Sequence, residues 1–532
     1  MTNNREPSDN AQVTQAAGVV GSATLASRLL GYVRDMVIAS LFGAGMVSDA
    51  FIAAFRIPNM LRRLMGEGTL SIAFVPVYTD CINRQGRAEA DRLAVSALRS
   101  LFIVLGLIAA VGIAMAPALV HLLAYGFTGD PEKYALCVKL TRIMFPYAVF
   151  IGMVALCMGV LNVLGHFAAP ALAPCLLNLA MIGMVVIFSW LSPSPSTRAV
   201  GLSIGVLLGG VLQLGLQVPF LMRKGLHIWR AAPLWHPAMK EVFWMMGPAM
   251  FGAAAFQINT LVSNLLGSLL RQGSISYLYY ADRLVQFPLG VFGIAVATAV
   301  LPTLSRQAAT GQTQALRDTF SYSLRLVFFI TLPAMVGLIV LREPIVALLF
   351  QRGAFDAQST RLTASALLYY AIGLWAFSAV RILTYTFYAL KDTRTPVKVA
   401  FASIGGNIVL GIVLMRPMQH NGLALALSLA SMLQLTLLTA ALRKKMGALG
   451  WRVLARSAAR SGLGALIMGA VVWATARQIL PAEPVSSALD VLGGLLLCVA
   501  TGAAVYGAWA YLFKAPELGA IKALLGKRTE PK

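Results

Sequence analysis

The sequence predicts an all-α polytopic membrane protein with fourteen transmembrane helices, built as two parallel-repeat six-helix lobes plus two C-terminal helices. Three observations carry that expectation. Hydrophobic residues make up 58% of the 532, charged residues only 12%, and mean hydropathy is +0.76, which no water-exposed surface accommodates. Apolar runs of about 20 residues, the length of a bilayer-spanning helix, recur along the chain. Landmarks in the first half return about 226 residues later.

The apolar runs place spans at 21–42, 47–79, 100–125, 134–161, 168–191, 199–222, 241–270, 275–305, 319–350, 362–390, 396–415, 422–442, 461–480 and 487–513. An even number puts both termini on one side. The loops on that side carry Arg84, Arg87 and Arg92, then Arg223, Lys224 and Arg230, then Lys391, Arg394 and Lys398, then Arg443, Lys444 and Lys445. Roughly 25 Lys/Arg lie on the terminal side against about 7 opposite, so the positive-inside rule expects both termini in the cytoplasm. The +23 net charge is therefore a topology signal, and no nucleic-acid partner is expected.

This reading divides the chain into a cytoplasmic N-terminal tail over 1–20, an N-lobe over 21–222 and a cytoplasmic linker over 223–240. A C-lobe over 241–442 follows, then a basic segment with the last two helices over 443–513, and a cytoplasmic tail over 514–532. Met1 to Gln15 is polar and lacks the basic region and short apolar core of a cleaved signal, so the first span is expected to act as an uncleaved insertion signal. Cys81, Cys137, Cys157, Cys175 and Cys498 are scattered through apolar stretches and form no C-x-x-C pair, which suits small core residues.

The duplication rests on spaced landmarks. Pro76 and Pro302 are 226 apart, as are Pro170 and Pro396. Pro117 and Pro344, Gly126 and Gly353, and Arg56 and Arg283 are each 227 apart. A six-helix repeat has even parity, so the two copies share one orientation and relate through an axis along the membrane normal, with a central cavity expected between them.

The charges inside these spans are the chemical signal. Arg28, Arg34, Arg56, Arg62, Arg63 and Arg283 lie in stretches otherwise apolar enough to cross a bilayer, where each charge costs at least about 2.5–3.5 kcal/mol. The nearby acids are Asp35, Asp49, Glu67 and Asp282, which leaves two positive charges in excess and points to an anion. In the first span, Ser27, Gly31 and Arg34 share a helix face, and Arg28 and Asp35 share an overlapping one. A competing reading makes Arg34 and Asp35 an interhelical tie, but it leaves the cationic surplus unexplained. In the second span, Asp49, Arg56 and Arg63 recur every seven residues, Glu67 follows Arg63 at i+4, and Pro58 kinks the backbone. Arg62 and Arg63 lie about 15 residues from either end of this long helix, near the midplane, and are expected to line water or substrate. The eighth span repeats the device in Tyr279-Tyr280-Ala281-Asp282-Arg283, whose guanidinium suits phosphate oxygens. Arg142, Arg325 and Arg381 lack such a context and fit interhelical ties or snorkelling.

Other patterns carry no chemistry. Gly201-Leu-Ser-Ile-Gly205 matches a nucleophile elbow but sits in a helical stretch, where with Gly209 it makes a small-residue packing face. His121, His166, His227, His236 and His420 show no ligand spacing, so neither a metal nor a catalytic site is expected. Asn259 and Asn407 could help hold a cation, but the seventh and eleventh spans lack a mid-membrane carboxylate.

Ser27-Arg-Leu-Leu-Gly-Tyr-Val-Arg-Asp35, Phe42-Gly-Ala-Gly-Met-Val-Ser-Asp-Ala-Phe51, Ile57-Pro-Asn-Met-Leu-Arg-Arg63, Glu67-Gly68, Tyr279-Tyr-Ala-Asp-Arg283 and Thr395-Pro-Val-Lys398 together resemble the MurJ (MviN) lipid II flippases, and the similarity runs along nearly the whole chain. The resemblance implies the fold of the multidrug/oligosaccharidyl-lipid/polysaccharide exporter superfamily, no enzymatic activity, and a place in the bacterial cytoplasmic membrane. It implies transport of undecaprenyl-pyrophosphate carrying the peptidoglycan disaccharide-pentapeptide from the inner to the outer leaflet. Membrane lipids, and cell-wall synthesis or division machinery, are the other partners it suggests. The family's cavity-lining positions fall on Arg28, Arg34, Asp35, Asp49, Arg62, Arg63, Glu67 and Arg283. Gln286 stands where some members have an acid, so no role passes to it. The family's sodium site needs acids in the second lobe that this chain lacks, leaving the membrane potential as the expected driving force and no cofactor. A long prenyl tail cannot enter a polar cavity, which suggests an apolar groove on the last two helices. An exporter of another polyprenyl-linked glycan, or of a drug, shares the fold; the arginines argue against a cationic drug. A membrane enzyme on polyprenyl phosphates would need an acidic metal cluster or a placed nucleophile, and the sequence offers neither.

Overall fold

A computed structural model describes residues 9–66, 69–229, 232–480 and 488–519. Among these residues the chain is helical throughout, with no strand. It forms two compact units, Met1–Gly273 and Ser274–Lys532.

The first unit contains α1 (Asp9–Phe42), α2 (Met46–Gly66), α3 (Thr69–Gln85), α4 (Arg87–Ala114), α5 (Ala116–Leu123), a 3-10 turn (Tyr125–Gly129), α6 (Pro131–Met144), α7 (Tyr147–Val163), α8 (Ala168–Leu191), α9 (Pro195–Arg223) and α10 (Met239–Ser268). Its core joins α3, α4 and α7 through Phe74, Tyr78, Leu93, Leu98, Leu156 and Leu161. The small-residue face of α9 does what its spacing predicts. A Cβ on Gly201, Gly205 or Gly209 would lie 2.3 Å from Phe188, 2.9 Å from the Ala180 carbonyl and 2.6 Å from Leu177, so the helices α8 and α9 touch where side chains are missing.

The second unit contains α11 (Ser274–Pro288), a π-helical segment (Leu289–Ile294), α12 (Ala295–Ala309), α13 (Thr313–Val340), α14 (Arg342–Phe350), α15 (Ala357–Ile372), α16 (Leu374–Ala389), α17 (Arg394–Met418), α18 (His420–Met446), α19 (Trp451–Ile479) and α20 (Ala488–Leu512). The last two helices lie outside the duplication yet pack onto its core. Val336 and Phe329 of α13 meet Ala465, Met468 and Val472 of α19 and Cys498 and Tyr506 of α20. All five cysteines are buried and free.

Ten helical stretches among the described residues are long and apolar enough to cross a membrane, and α15 with α16, bent by 41°, makes an eleventh. Fourteen is not reached on these grounds. The predicted span over 21–42 carries Arg28, Arg34 and Asp35, and that over 47–79 carries Asp49, Arg56, Arg62 and Arg63 and includes positions outside the described set. The span over 241–270 includes positions 248–256, whose side chains are outside the described set. The span predicted as one helix over 47–79 is α2 followed by α3. Residues 67 and 68 are outside the described set, and Arg62 and Arg63 lie four and three residues before Gly66, the last described residue of α2. Glu67 lies outside the described residues.

The duplication recurs in helix capping. Asp130 accepts from the Lys133 amide at 3.1 Å to start α6, and Asp356 accepts from the Ser359 amide at 2.7 Å to start α15. These caps are 226 residues apart, the offset of the proline landmarks. Each satisfies a first-turn N–H that no carbonyl reaches.

Asp392, in the connection before α17, accepts from the Thr395 amide at 3.0 Å, the Thr395 hydroxyl at 2.8 Å and Lys445 Nζ at 2.7 Å. The Lys445 hydrogen bond, then the Thr395 amide, hold its pKa at about 2, below the ordinary 3.8. A carboxylate depressed on folding stabilises the protein above its unfolded pKa, and that contribution fades as pH falls toward the folded value. Thermal midpoints measured between pH 5 and pH 2 should therefore decline with acid, more steeply between about pH 4 and 2 in the parent than in Asp392→Asn. Parallel curves would show that this contact is not linked to folding.

Candidate functional site

The charged residues of the first unit sit on α1 and α2. Arg34 and Asp35 are 5% and 1% exposed. Arg34 donates to Asp35 Oδ1 from Nε at 3.0 Å and from Nη2 at 2.7 Å, and from Nη1 to Asn178 Oδ1 at 3.0 Å. Asn178 returns a bond from Nδ2 to the Ser27 carbonyl at 3.1 Å, tying α1 to α8. A buried guanidinium is stable only when its donors are met, and this network meets them across two helices. Arg28, almost two turns before Arg34, is exposed.

On α2, Asp49 is 1% exposed. Its Oδ2 accepts from Lys133 Nζ at 2.8 Å and from the Gly273 amide at 2.7 Å. Lys133 is 7% exposed, and its ammonium lies 4.2 Å from the centre of the Phe127 ring. Seven residues along, half-buried Arg56 donates from Nη1 to the Thr260 carbonyl of α10 at 3.2 Å. Arg62 donates from Nε to Asn59 Oδ1 at 3.0 Å, and Arg63 is half-buried beside it. The 3-10 turn before α6 also meets α10. The Gly126 amide donates to Ser268 Oγ at 3.1 Å, and a Cβ on Gly126 would lie 2.0 Å from the Ser268 carbonyl oxygen.

In the second unit Arg283 is half-buried on α11, its guanidinium 5.7 Å from the centre of the Tyr279 ring. Asp282 accepts from Gln286 Nε2 at 3.4 Å. Tyr280 is fully buried against Phe350 and Phe355, at 4.9 and 5.5 Å between ring centres, which fixes the turn that presents Arg283.

The sequence-predicted residues therefore divide. Arg34 and Asp35 come together and bind each other; Asp49 is engaged by Lys133, a residue that sequence reasoning left one position outside a span. The signal was present: Asp130-Pro131 is a cap followed by a first-turn proline, which starts the helix early enough to include Lys133. Asn178 was also missed, though an amide alone within Leu176-Leu177-Asn178-Leu179 calls for a partner. Between residues 28 and 66 five arginines stand against two aspartates, and Lys133 adds a further cation beside Asp49. That balance suits an anion with several oxygens.

The family described as Lipid II flippase MurJ matches residues 38–489. A probable lipid II flippase MurJ of Rhizobium tropici is 36% identical over 515 residues, covering 96% of both chains. Among solved structures, that of a lipid II flippase MurJ in an inward closed conformation superposes with a TM-score of 0.76 at 26% identity, covering 93% of this chain and 98% of that one. An inward-facing multidrug resistance transporter of the MATE family, in the MOP superfamily, gives a TM-score of 0.68 over 81% of this chain and 98% of its own; at 16% identity this shows a shared fold alone. The chain, a multi-span helical membrane protein, belongs to the lipid II flippase MurJ family.

Proposed function

We propose that this chain carries lipid II across the bacterial cytoplasmic membrane, from the inner to the outer leaflet, by alternating access. The observation that carries the reading is the cationic surplus on α1 and α2, five arginines against two aspartates over residues 28–66, in a chain of this family. A diphosphate is the part of lipid II that such a surplus can hold, through paired N–H···O contacts that lysine does not reproduce. Arg28, Arg62, Arg63 and Arg283 are proposed to meet the diphosphate. Arg34, Asp35, Asp49 and Glu67 are proposed to set the local charge and hold the arginines in place. The burial of Arg34 against Asp35 and Asn178 supports a positioning role for that pair.

In this reading α1, the pair α2–α3 and α10 join the eleven apolar spans to make fourteen, and both termini are cytoplasmic, as the basic loops favour. α19 and α20 supply the surface for the prenyl tail; that they stand outside the duplicated part, attached to it through α13, supports that assignment. The membrane potential drives the step. Moving two negative charges outward against 100 mV, inside negative, gains roughly 4–5 kcal/mol. No sodium ion is required by the residues named.

The test is replacement of the essential lipid II flippase in a depleted bacterium, with lipid II exposure on the outer leaflet as readout at matched expression. The parent should restore exposure. Arg283→Ala should reduce it about tenfold or more, the loss of one charge-assisted contact, and Arg34→Ala should also reduce it, by leaving Asp35 and Asn178 without the guanidinium they hold. Arg283→Lys should also be impaired although the charge is kept. Normal exposure in both alanine variants would remove the arginine site and leave these residues as helix ties.

A further inference from the structure

A second cationic site lies on α6, away from the charges of α1 and α2. Lys139 and Arg142 are both exposed, one helical turn apart, at the rim of a depression of about 420 Å³. Its wall is mostly apolar: Pro117, Ala135, Val138 and Ile143 line it, with Tyr134 beside them. Tyr134 donates from its hydroxyl to the Pro117 carbonyl at 2.8 Å, which fixes the start of α5 against α6. Among the described residues neither Lys139 nor Arg142 makes a hydrogen bond or an ion pair. The nearest acid on that face, Glu132, is two turns away, roughly 10 Å along the axis.

Helix length sets the depth of this pair. The stretch Pro131–Val163 has 33 residues, about 50 Å of helix, whereas a hydrocarbon core spans about 30 Å. Val163 ends the stretch beside the loop in which His166 stacks on Phe220, near the basic Arg223 and Lys224. Measured from Val163, Arg142 lies about 32 Å and Lys139 about 36 Å along the helix. Both therefore reach the level of the phosphates on the opposite face; Ala135 and Val138 of the wall lie at or beyond that level, and Ile143 lies below it, toward the acyl region. Ser365 and Leu368, the positions 226 later, carry no charge, so the repeat fold does not require the pair.

We propose that Lys139 and Arg142 form a binding site for an anionic glycerophospholipid of the outer leaflet. The two cations hold its headgroup phosphate, Ile143 meets the first carbons of its chains, and Pro117, Ala135 and Val138 wall the headgroup. The leaflet, though not the site, rests on the orientation given under the proposed function. A lipid bound there occupies α6 where it abuts α5, and needs none of the residues assigned to lipid II.

The purified full-length chain, partly delipidated, can be titrated with dioleoyl-phosphatidylglycerol and examined by native mass spectrometry. Parallel titrations use dioleoyl-phosphatidylcholine, inorganic phosphate and lipid II. The parent should retain phosphatidylglycerol over phosphatidylcholine, and Lys139→Gln with Arg142→Gln should weaken that retention about tenfold or more. Arg452→Gln with Arg456→Gln, which removes two exposed cations of α19, should not. An unchanged thermal midpoint in the α6 variant would show that the loss is of ligand and not of fold. Equal retention in parent and α6 variant, no preference over phosphatidylcholine, equal competition by free phosphate, or a selective loss of lipid II binding would each overturn the proposal. Lipid retention is read without transport, so failure of this site and failure of the flippase reading are separate results.

Discussion

Glu517→Ala should lower the stability of the second unit by about 3–5 kcal/mol, through the attachment of α19 to α13. Glu517 follows α20, in the stretch that composition assigns to a tail, yet its side chain is 1% exposed. It accepts from Arg460 at 2.8 Å and from Ser457 Oγ at 2.8 Å, with Arg325 of α13 at 3.6 Å. One carboxylate thus neutralises two guanidinium groups that are 19% and 23% exposed. Removing it leaves both arginines short of a counter-ion in a low-dielectric setting, the costly half of breaking a buried pair. The Tyr506 hydroxyl still donates to the Phe329 carbonyl at 2.8 Å, and Trp509 Nε1 to the Arg460 carbonyl at 3.1 Å, so loosening should be local. Unfolding in lipid nanodiscs, followed by hydrogen exchange resolved by segment, should show α19 and α20 released first. Glu517→Gln should fall between parent and alanine, since it keeps the Ser457 contact and loses the charge. Identical protection in all three would mean that the carboxylate holds nothing in place.

That cluster marks where the sequence stopped being legible. Arg325 offered no visible partner because Glu517 lies almost two hundred positions away, beyond an apolar helix pair. Long-range ion pairs leave no periodic trace; helices do, which is why the fold class and most spans followed from composition. The places where the hydropathy signal weakens are chemically meaningful. α1 and α2 carry Arg28, Arg34, Arg56, Arg62 and Arg63, the residues that made the site visible.

Two helix starts were written in capping chemistry that the apolar runs did not register. Asp130-Pro131 and Asp356 start helices at Pro131 and Ala357, ahead of the spans expected from 134 and 362. The partners of the predicted residues were the least visible part. That Arg34 would meet Asn178, or Asp49 the amide of Gly273, depends on how helices pack, which one face of one helix cannot reveal.

Asp49→Ala should cost about 3–5 kcal/mol by itself, and most of that loss should vanish when Lys133 is also made neutral. The two groups meet at 2.8 Å with side chains 2% and 8% exposed, so alanine at 49 strands a buried ammonium against the Phe127 ring. Lys133→Met retains a long apolar stem against that ring while removing the charge. In a double-mutant cycle of Asp49→Ala and Lys133→Met, the coupling should lie toward the upper end of about 0.5–3 kcal/mol. Additive losses would show that the pair is only a geometric neighbour. The same four proteins separate two roles for Asp49. If it serves only to neutralise Lys133, the double variant regains both thermal stability and lipid II exposure on the outer leaflet. If Asp49 also sets the charge that the diphosphate meets, stability returns and exposure does not, because removing both charges repairs the fold and leaves the substrate without its orienting acid.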